Sequence, residues 1–285
     1  MKNLSQPAVR SENIVIREIV ENDFDAVREL LCEGFPQRRS GYWYSALQRL
    51  SMRPLVEDYP QFGYFLTVDG RPSGVLLLLT ALIDGVPQSN LSSWYVRERC
   101  RKFSVFMFQQ AIKRKGGLYV NLSPSAVALP IATAFGFTSY TTGSFLVHPG
   151  AFFARTEAKA QIYDLARIAL LPDILQRNIG YGCQPLWVTD FAGSFPALYR
   201  IEYIKKIPAA RFVYGDPARL LTAAPAILRL LLRQGLPLLL FDAPPSLIPQ
   251  PWVSLLRDRA RRYYKGEKPP EVGNLLETEL AVFGV

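Results

Sequence analysis

Short apolar runs with two different periods organise the first part of the chain. Residues Ile14–Glu18 alternate between apolar and polar side chains, which is the period of two that is typical of a strand. In Phe24–Gly34 the apolar residues recur three or four positions apart, which predicts a helix that ends at its glycine. Two further apolar runs, residues 64–68 and 73–83, flank an Asp-Gly pair and therefore predict a β-hairpin.

The pattern continues as a succession of helices and strands up to residue 147. Pro54 ends one predicted helix and two consecutive glycines, Gly116 and Gly117, end another, because both residue types interrupt helices. The elements are helices at residues 42–53, 101–115 and 126–135 and strands at residues 91–96, 118–122 and 144–147. Antiparallel hairpins come first and a βαβ crossover comes later, which predicts an α/β protein with a mixed α+β sheet.

The second half repeats this order without repeating its residues. The pattern of residues 210–242 predicts a strand, a turn, a helix that ends near a glycine, and a second strand. Residues 94–122 predict the same order. The repeated order predicts two lobes, residues 1–150 and residues 151–285. The alternative is a single α/β domain with a C-terminal extension.

The last part of the chain predicts one more helix and one more strand. Residues 251–265 combine a basic face with an apolar face, which is the pattern of an amphipathic helix. In one interpretation the apolar face packs on the core, and in another it meets an anionic membrane or an acidic partner. Residues 275–283, with the sequence LLETELAVF, are predicted to form the last strand.

Composition places the chain among globular proteins. Of its 285 residues, 49% are hydrophobic and 20% are charged, a balance that excludes a disordered chain. The net charge of +9 suits an anionic partner such as a phosphorylated cofactor, an acidic carrier protein, nucleic acid or a lipid surface. Plain solubility explains the same charge.

The sequence shows no targeting, membrane-spanning or metal-binding segment. Residues 1–13 are polar, and the apolar runs at residues 74–83 and 228–241 are too short or too interrupted to span a bilayer. Three widely separated cysteines and a single histidine, His148, do not make a set of zinc ligands. We therefore expect a cytoplasmic protein without a metal and without a transmembrane segment.

A resemblance to a known family rests on two stretches of the chain. The strand at residues 91–96 leads into a basic turn and a helix, and the later short helix ends in the letters AFGF at residues 134–137. Together with the element order, these stretches resemble the GCN5-related N-acetyltransferase (GNAT) family over roughly the first half of the chain. The resemblance implies a GNAT-like N-terminal lobe, and the repeated order extends it to a second, GNAT-like lobe.

The resemblance also implies where acetyl-CoA or another acyl-CoA binds. In the family, an Arg/Gln-x-x-Gly-x-Gly/Ala turn opens a helix, and its backbone amides hold the pyrophosphate. Arg101 falls on the first position of this turn, whereas Ser104 and Phe106 stand at the two glycine positions, and Phe106 crowds a phosphate there. The implied cofactor-binding residues are Val96, Arg101, Lys102, Phe103, Ser104 and Val105.

The general acid that is usual in the family is missing. It is a tyrosine four residues before the glycine of the Gly-Phe pair, and here Ala132 stands four residues before Gly136. Another hydroxyl would have to replace it, and the candidate catalytic residues are Tyr95, Ser123 and Tyr140. A lobe that no longer catalyses is the alternative, and no general base is identified.

The resemblance implies an acyltransferase that moves an acyl group from a CoA thioester to an amine on a small molecule or peptide. A donor bound to acyl carrier protein is a variant, since carrier-bound pantetheine has one phosphate in place of the nucleotide end. A non-catalytic GNAT-like protein that binds an acidic ligand or partner is the second hypothesis. Nucleic acid is not expected as a partner, because the basic residues are dispersed and no binding motif is present.

Overall fold

Two mixed sheets of seven strands each form the structure of residues 12–162, 165–257 and 261–284, which the computed structural model describes. The first sheet contains, in spatial order, β1 (Ile14–Glu18), β2 (Gly63–Val68), β3 (Arg71–Ile83), β4 (Val86–Val96), β5 (Leu118–Asn121), β14 (Tyr263–Lys265) and β6 (Thr138–Ser139). The second sheet contains β13 (Val253–Leu256), β7 (Gly143–Val147), β12 (Leu238–Ala243), β11 (Ile207–Tyr214), β10 (Gly193–Ile204), β9 (Gln184–Asp190) and β8 (Lys159–Ile162). The predicted mixed α+β fold class is confirmed.

Helices connect and cover these strands. The α-helices are α1 (Phe24–Gly34), α2 (Ser40–Ser51), α3 (Ser104–Ala111), α4 (Ala128–Ala134), α5 (Leu165–Ile168), α6 (Asp173–Gly180), α7 (Pro217–Leu232) and α8 (Glu279–Val282). Short 3₁₀ helices lie at Glu21–Asp23, Glu98–Phe103 and Pro149–Phe153.

The two sheets follow the same plan. In each, four antiparallel strands lead to one parallel pair, β4 with β5 and β11 with β12. A parallel pair needs a crossover connection, and α3 and α7 lie in those two connections. The repeated order that the sequence predicts is therefore present in the structure.

The two sheets also exchange a strand. β7 follows β6 in the chain but lies in the second sheet, antiparallel to β12, whereas β14 follows β13 but lies in the first sheet, antiparallel to β5. The strand predicted at residues 144–147 therefore exists but pairs with the second half of the chain. The division at residue 150 stays a prediction. It would place β7 and β14 each in a different part of the chain from most strands of the sheet in which they pair.

Alternation along β3 shows how helices cover both faces of the first sheet. Leu77 and Leu79 are buried on the face covered by α1 and α2, whereas Leu76 and Leu78 are buried on the face covered by α3. Side chains alternate between faces with a period of two, so a continuous apolar run is what a doubly covered strand requires. Each such side chain contributes about 1.5–3 kcal/mol through its burial.

Tight turns explain why β4 is longer than predicted. Asp69 and Gly70 have φ angles of 51° and 73°, which is the left-handed geometry of the hairpin predicted there. Asp84 and Gly85 have φ angles of 51° and 78° and make a second turn of the same kind. β4 therefore begins at Val86 directly after this turn.

The helix predicted at residues 101–115 is shorter in the structure. The 3₁₀ helix Glu98–Phe103 precedes α3, which ends at Ala111. Cys100 and Phe103 are buried, so the 3₁₀ helix is packed onto the sheet rather than extended into solvent.

The helix predicted at residues 251–265 is wrong. β13 and β14 lie in this stretch instead, on different sheets, and residues 258–260 fall outside the described residues. Val253 lies opposite Val147, and Tyr264 lies opposite Val120. Pairing with existing strands outweighs the local helical pattern, because tertiary context overrides intrinsic propensity.

The strand predicted at residues 275–283 is also wrong. Glu277 has a φ angle of 59°, which interrupts an extended backbone. Thr278 then starts a single helical turn, since its carbonyl accepts hydrogen bonds from the N–H groups of Ala281 and Val282. The turn places Glu279 at the start of α8.

No helix in the described part of the chain is both long enough and apolar enough to cross a membrane. Cys32, Cys100 and Cys183 are free cysteines.

Candidate functional site

The first sheet opens where its parallel pair ends. β4 and β5 pair from Gln88 opposite Leu118 to Leu91 opposite Asn121, and no pairing with β5 follows along β4. Within the described residues, the backbone of β4 after Leu91 therefore lacks a partner strand on that side. This opening is the natural place for an extended ligand to hydrogen-bond to the edge of the sheet.

A β-bulge lies on β4 beside the opening. Val75 faces Tyr95 while Leu77 faces Ser92, so β4 carries one residue more than β3 over this stretch. Ser93 within the bulge has a φ angle of 50°, a left-handed conformation that is uncommon for residues other than glycine. Bulges bend a strand and redirect its side chains, and they are frequent beside active sites.

A cavity of about 250 Å³ occupies this opening. Five aromatic side chains line it: Phe35, Tyr42, Trp43, Trp94 and Phe108. Its polar and charged lining includes Arg38, Ser92, Asn121, Ser123, Ser125 and Glu279. The walls therefore come from the α1–α2 connection, α2, β4, α3, the segment after β5 and α8.

Glu279 is the buried carboxylate of this cavity. The residue is 3% exposed, and its carboxylate accepts a hydrogen bond of 2.6 Å from the Ser123 hydroxyl. Its backbone N–H donates to Oδ1 of Asn90 at 2.7 Å, and Asn90 lies on β4 directly before its last residue paired with β5. Among the described residues, no cation lies within ion-pair distance of Glu279.

Burial raises the pKa of Glu279 above its usual value of 4.5. Hydrogen bonds from Ser123 and Ser92 and the charge of Arg262 act in the opposite direction, and burial outweighs them. A carboxyl group with a raised pKa is suited to accept a proton near neutral pH.

A buried ion cluster holds the segment that delivers Glu279. Glu277 accepts hydrogen bonds from Nε of Arg53 at 3.0 Å and Nε of Arg177 at 3.2 Å. Nδ2 of Asn178 lies 3.3 Å from the same carboxylate, and the backbone N–H of Glu277 donates to Oδ1 of Asn178. Arg53 lies two residues after the end of α2, and Arg177 and Asn178 lie on α6, so the segment is tied to both halves of the chain.

The same segment fills the corresponding opening of the second sheet. β11 pairs with β12 only as far as Arg211. Beyond that point the N–H of Leu275 donates to the carbonyl of Val213 at 2.8 Å, and the N–H of Gly215 donates to the carbonyl of Gly273 at 3.1 Å. Along β11, this segment therefore occupies the position beyond the parallel pair. The corresponding position along β4 is open to a ligand.

Three polar atoms of the cavity-lining aromatic residues lack a hydrogen-bond partner among the described residues. They are Oη of Tyr42, Nε1 of Trp43 and Nε1 of Trp94, and all three are buried. A buried donor without a hydrogen-bond partner lowers the stability of the fold by about 1–3 kcal/mol, so such groups are uncommon unless they serve a function. Their grouping around one cavity is consistent with a ligand that accepts hydrogen bonds.

Tyr42 carries the most strongly perturbed hydroxyl of these lining residues. Burial raises the pKa of Tyr42 to about 12. The charge of Glu279 acts in the same direction, whereas the charge of Arg38 lowers the pKa. Tyr42 therefore lies within the electrostatic reach of both charged groups of the cavity.

The structure brings one of the three predicted catalytic residues into this cavity. Ser123 lines it and donates to Glu279. The hydroxyl of Tyr95 instead donates to Glu33 at 2.7 Å, outside the cavity lining. Tyr140 is buried against Tyr264, with 6.0 Å between the ring centroids, and does not line the cavity either.

The predicted cofactor-binding residues do not line the cavity. Val96 and Phe103 are buried in the core, and the Ser104 hydroxyl donates to the carbonyl of Arg101 at 2.6 Å. Lys102 forms an ion pair with Glu12. The side chain of Arg101 is 67% exposed, and Val105 is exposed as well.

The turn after β4 uses several of its own amides. The N–H of Arg97 donates to the carbonyl of Ser73, that of Cys100 to Arg97, and that of Ser104 to Arg101. The binding of a pyrophosphate at this turn stays a prediction. Phe106 is 57% exposed and does not fill the turn.

Sequence reasoning missed Glu279 and Tyr42. An available signal was the pair of acids, Glu277 and Glu279, in the apolar run of residues 275–283, because an acid among buried apolar residues is costly without a partner or a function. Tyr42 has no such signal, since its position in a helical pattern also suits ordinary core packing. Within the described residues, no group of three His, Cys, Asp or Glu side chains is placed to hold a metal ion.

The sequence matches no protein-family model and no curated protein. Solved structures match over most of the chain. A GCN5-related N-acetyltransferase from Anabaena variabilis ATCC 29413 has a TM-score of 0.61 at 9% identity and is matched over 89% of this chain and 72% of that chain. A putative acetyltransferase from Pyrococcus horikoshii has a TM-score of 0.57 at 12% identity, over 97% of this chain and 98% of that chain.

A probable N-acyltransferase from Enterococcus faecalis V583 also matches, with a TM-score of 0.56 at 10% identity, over 92% of this chain and 73% of that chain. At these identities the likeness shows a shared fold. It leaves the reaction to be argued from the cavity itself.

Proposed function

We propose that this chain, which has the GNAT fold, is an acyltransferase that transfers an acyl group from a thioester to a primary amine. One observation carries the proposal: a buried carboxylate, Glu279, lines an otherwise aromatic cavity at the place where β4 and β5 part. A proton acceptor, a strand edge and a cavity that excludes water are the parts that aminolysis of a thioester needs.

The acyl donor is acetyl-CoA or a longer acyl-CoA, with its pantetheine arm along β4. The β4 backbone after Leu91 has no partner strand on the β5 side, so its N–H and carbonyl groups are available to the amides of that arm. In this placement the thioester carbonyl lies near the bulge at Ser93, where backbone N–H groups of β4 polarise it. The thioester end of the donor thus fits residues that are present.

Glu279 accepts a proton from the substrate ammonium, which frees the nitrogen lone pair for attack on the thioester carbonyl carbon. The C–N bond forms, the C–S bond then breaks, and the thiolate leaves. The nitrogen loses its second proton, and the thiolate gains one to give the free thiol, so that one proton is released overall. Ser123 donates to Glu279 and holds its carboxylate in place.

The nucleotide end of the donor fits less well, and this favours a second candidate donor. Ser104 and Phe106 replace the family glycines, and the amides of Cys100 and Ser104 are used within the turn. A pantetheine arm bound to an acyl carrier protein has only one phosphate, and it places less demand on this turn. Exposed Arg99 and Arg101 suit the acidic surface of such a carrier.

Thermal unfolding with acetyl-CoA, a long-chain acyl-CoA, free CoA and an acyl carrier protein separates the donors. A ligand present at a hundred times its Kd stabilises the folded state by about 2.7 kcal/mol. Stabilisation by one of the thioesters is expected. A chain that none of these ligands stabilises, and that acylates no amine, is not an acyltransferase.

Replacing Glu279 tests the mechanism. We expect E279Q to lower kcat by roughly 10²–10⁴-fold, the usual range for a general base, while donor binding stays unchanged. E29Q is the matched control, because Glu29 is exposed on α1 and does not line the cavity. Equal turnover in E279Q and E29Q would show that Glu279 is not the base.

A further inference from the structure

One acid and one guanidinium line the cavity. Glu279 and Arg38 both line it, and no ion pair joins either residue to another described residue. Arg38 is held by stacking instead, with its guanidinium carbon 4.8 Å from the centroid of the Tyr42 ring. A buried acid such as Glu279 normally has a partner, and the half-buried Arg38 faces the same cavity without a carboxylate partner among the described residues. The two groups together point to a ligand that supplies a counter-charge to each.

The two charges lie at different places in the cavity wall. Glu279 is fixed beside Asn90, where β4 and β5 part. Arg38 belongs to the connection between α1 and α2. A ligand that reaches both residues therefore carries its two charges on separate groups.

The rest of the wall suits an apolar body of small size. Trp43 and Phe35 lie with ring centroids 5.5 Å apart on one side, and Trp94 and Phe108 lie 5.1 Å apart on another. Aromatic faces bind apolar groups and also attract an ammonium ion. A volume of about 250 Å³ is below the usual ~300–1,000 Å³ range of pockets for drug-sized ligands.

We propose that the amine acceptor is a small zwitterion of the α-amino acid type with an apolar or aromatic side chain. Its ammonium group binds Glu279, its carboxylate binds Arg38, and its side chain packs on the aromatic wall. The unpaired donors of Tyr42 and the two tryptophans are further partners for the carboxylate oxygens. The assignment rests on the proposed function, because it names the acceptor of that reaction.

Matched pairs of amines that differ only in the carboxylate test the proposal. Phenylalanine is compared with phenethylamine, and leucine with isoamylamine, each at saturating donor. We expect kcat/KM to be at least about tenfold higher for the amino acid of each pair, because only its carboxylate accepts a charged hydrogen bond from the guanidinium. Equal values for both members of each pair would overturn the proposal and leave the acyltransferase function standing.

Substitution of Arg38 locates the carboxylate contact. R38Q is expected to remove the preference for the amino acid over the decarboxylated amine, measured as the ratio of their kcat/KM values. R39Q is the matched control, because the neighbouring Arg39 is exposed and does not line the cavity. A preference that survives in R38Q places the carboxylate elsewhere and contradicts the assignment.

A binding measurement separates failure of this inference from failure of the proposed function. Phenylalanine without any donor is expected to raise the Tm of the wild type and of R39Q, and to leave the Tm of R38Q and E279Q unchanged. Such a result together with no acylation of any amine would refute the acyltransferase and keep the zwitterion site. The absence of a Tm shift in the wild type would refute the site.

Discussion

At the scale of single residues, the surroundings of Glu279 determine what the cavity does. Its carboxylate is buried, accepts a hydrogen bond from Ser123 and has no ion-pair partner among the described residues. The sequence predicted Ser123, because it follows the strand that borders the opening. Glu279 was not predicted, because its contact with Ser123 joins positions 156 residues apart and the apolar run itself does not show which of its two acids faces the cavity.

The raised pKa of Glu279 has a consequence for stability against pH. Its carboxyl has a higher pKa in the folded state than its usual 4.5, so the folded protein binds the proton more tightly than the unfolded chain does. The contribution to stability is complete below pH 4.5 and is lost as the pH rises through the folded-state pKa. We therefore expect E279Q to be more stable than the wild type at pH 8, with a difference that shrinks toward pH 4.5.

Urea unfolding at several pH values between 4.5 and 8 measures this difference. The groups that act on Glu279 are the hydroxyls of Ser92 and Ser123 and the charge of Arg262, and E279Q keeps all three. E29Q serves again as the control and should show no such trend. A constant difference between E279Q and the wild type would mean that the pKa of Glu279 is not raised.

At the scale of elements, β4 and the segment from Gly273 to α8 together make the site. β4 was predicted from its apolar run and its place before a basic turn, whereas its bulge at Ser93 arises from pairing with β3 and was not predictable from local propensity. The last segment was predicted as a strand, because LLETELAVF has high apolar content. Buried contacts of Glu277 with two arginines impose a turn there instead.

Breaking that ion cluster should loosen the site as well as the fold. R53M removes a guanidinium whose side chain is 3% exposed. The buried Glu277 then keeps only the partly exposed Arg177 as an ion-pair partner among the described residues. Removing one partner of a buried pair costs about 3–5 kcal/mol, so we expect a loss near the lower end of that range. Chemical denaturation measures it, and the acyl-transfer rate should fall with it.

R28M is the control for that substitution. Arg28 pairs with the exposed Asp25 one helical turn away on α1, and such surface pairs contribute about 0.3–0.5 kcal/mol. If R53M and R28M destabilise the protein equally, the cluster does not hold the segment in place.

At the scale of the whole molecule, the two lobes have the same strand order and are joined by the exchanged strands β7 and β14. The repeated order of elements made the two lobes predictable from the sequence. The exchange was not predictable, because β7 and β14 are five and three residues long and nothing in such short strands specifies which sheet they join. The strand adjacent to each in the chain, β6 or β13, lies at the edge of the other sheet.

Separating the chain at residue 150 should therefore fail to give two independent domains. Residues 1–150 alone lack β14 between β5 and β6, and residues 151–285 alone lack β7 between β12 and β13. We expect neither fragment to unfold cooperatively by circular dichroism and the two expressed together to recover a cooperative transition. A cooperative transition in either isolated fragment would show that the exchanged strand is dispensable.

The long connection between Ser123 and Glu279 also sets an order of events during synthesis. At typical translation rates of about 5–20 residues per second, Glu279 emerges roughly 8–31 s after Ser123, given their separation of 156 residues. During that interval the nascent first sheet has neither β14 nor Glu279. In the proposed mechanism such a chain has no group to accept the proton of the amine, so acyl transfer begins only after the residues around Glu279 have been synthesised and have packed against the first sheet.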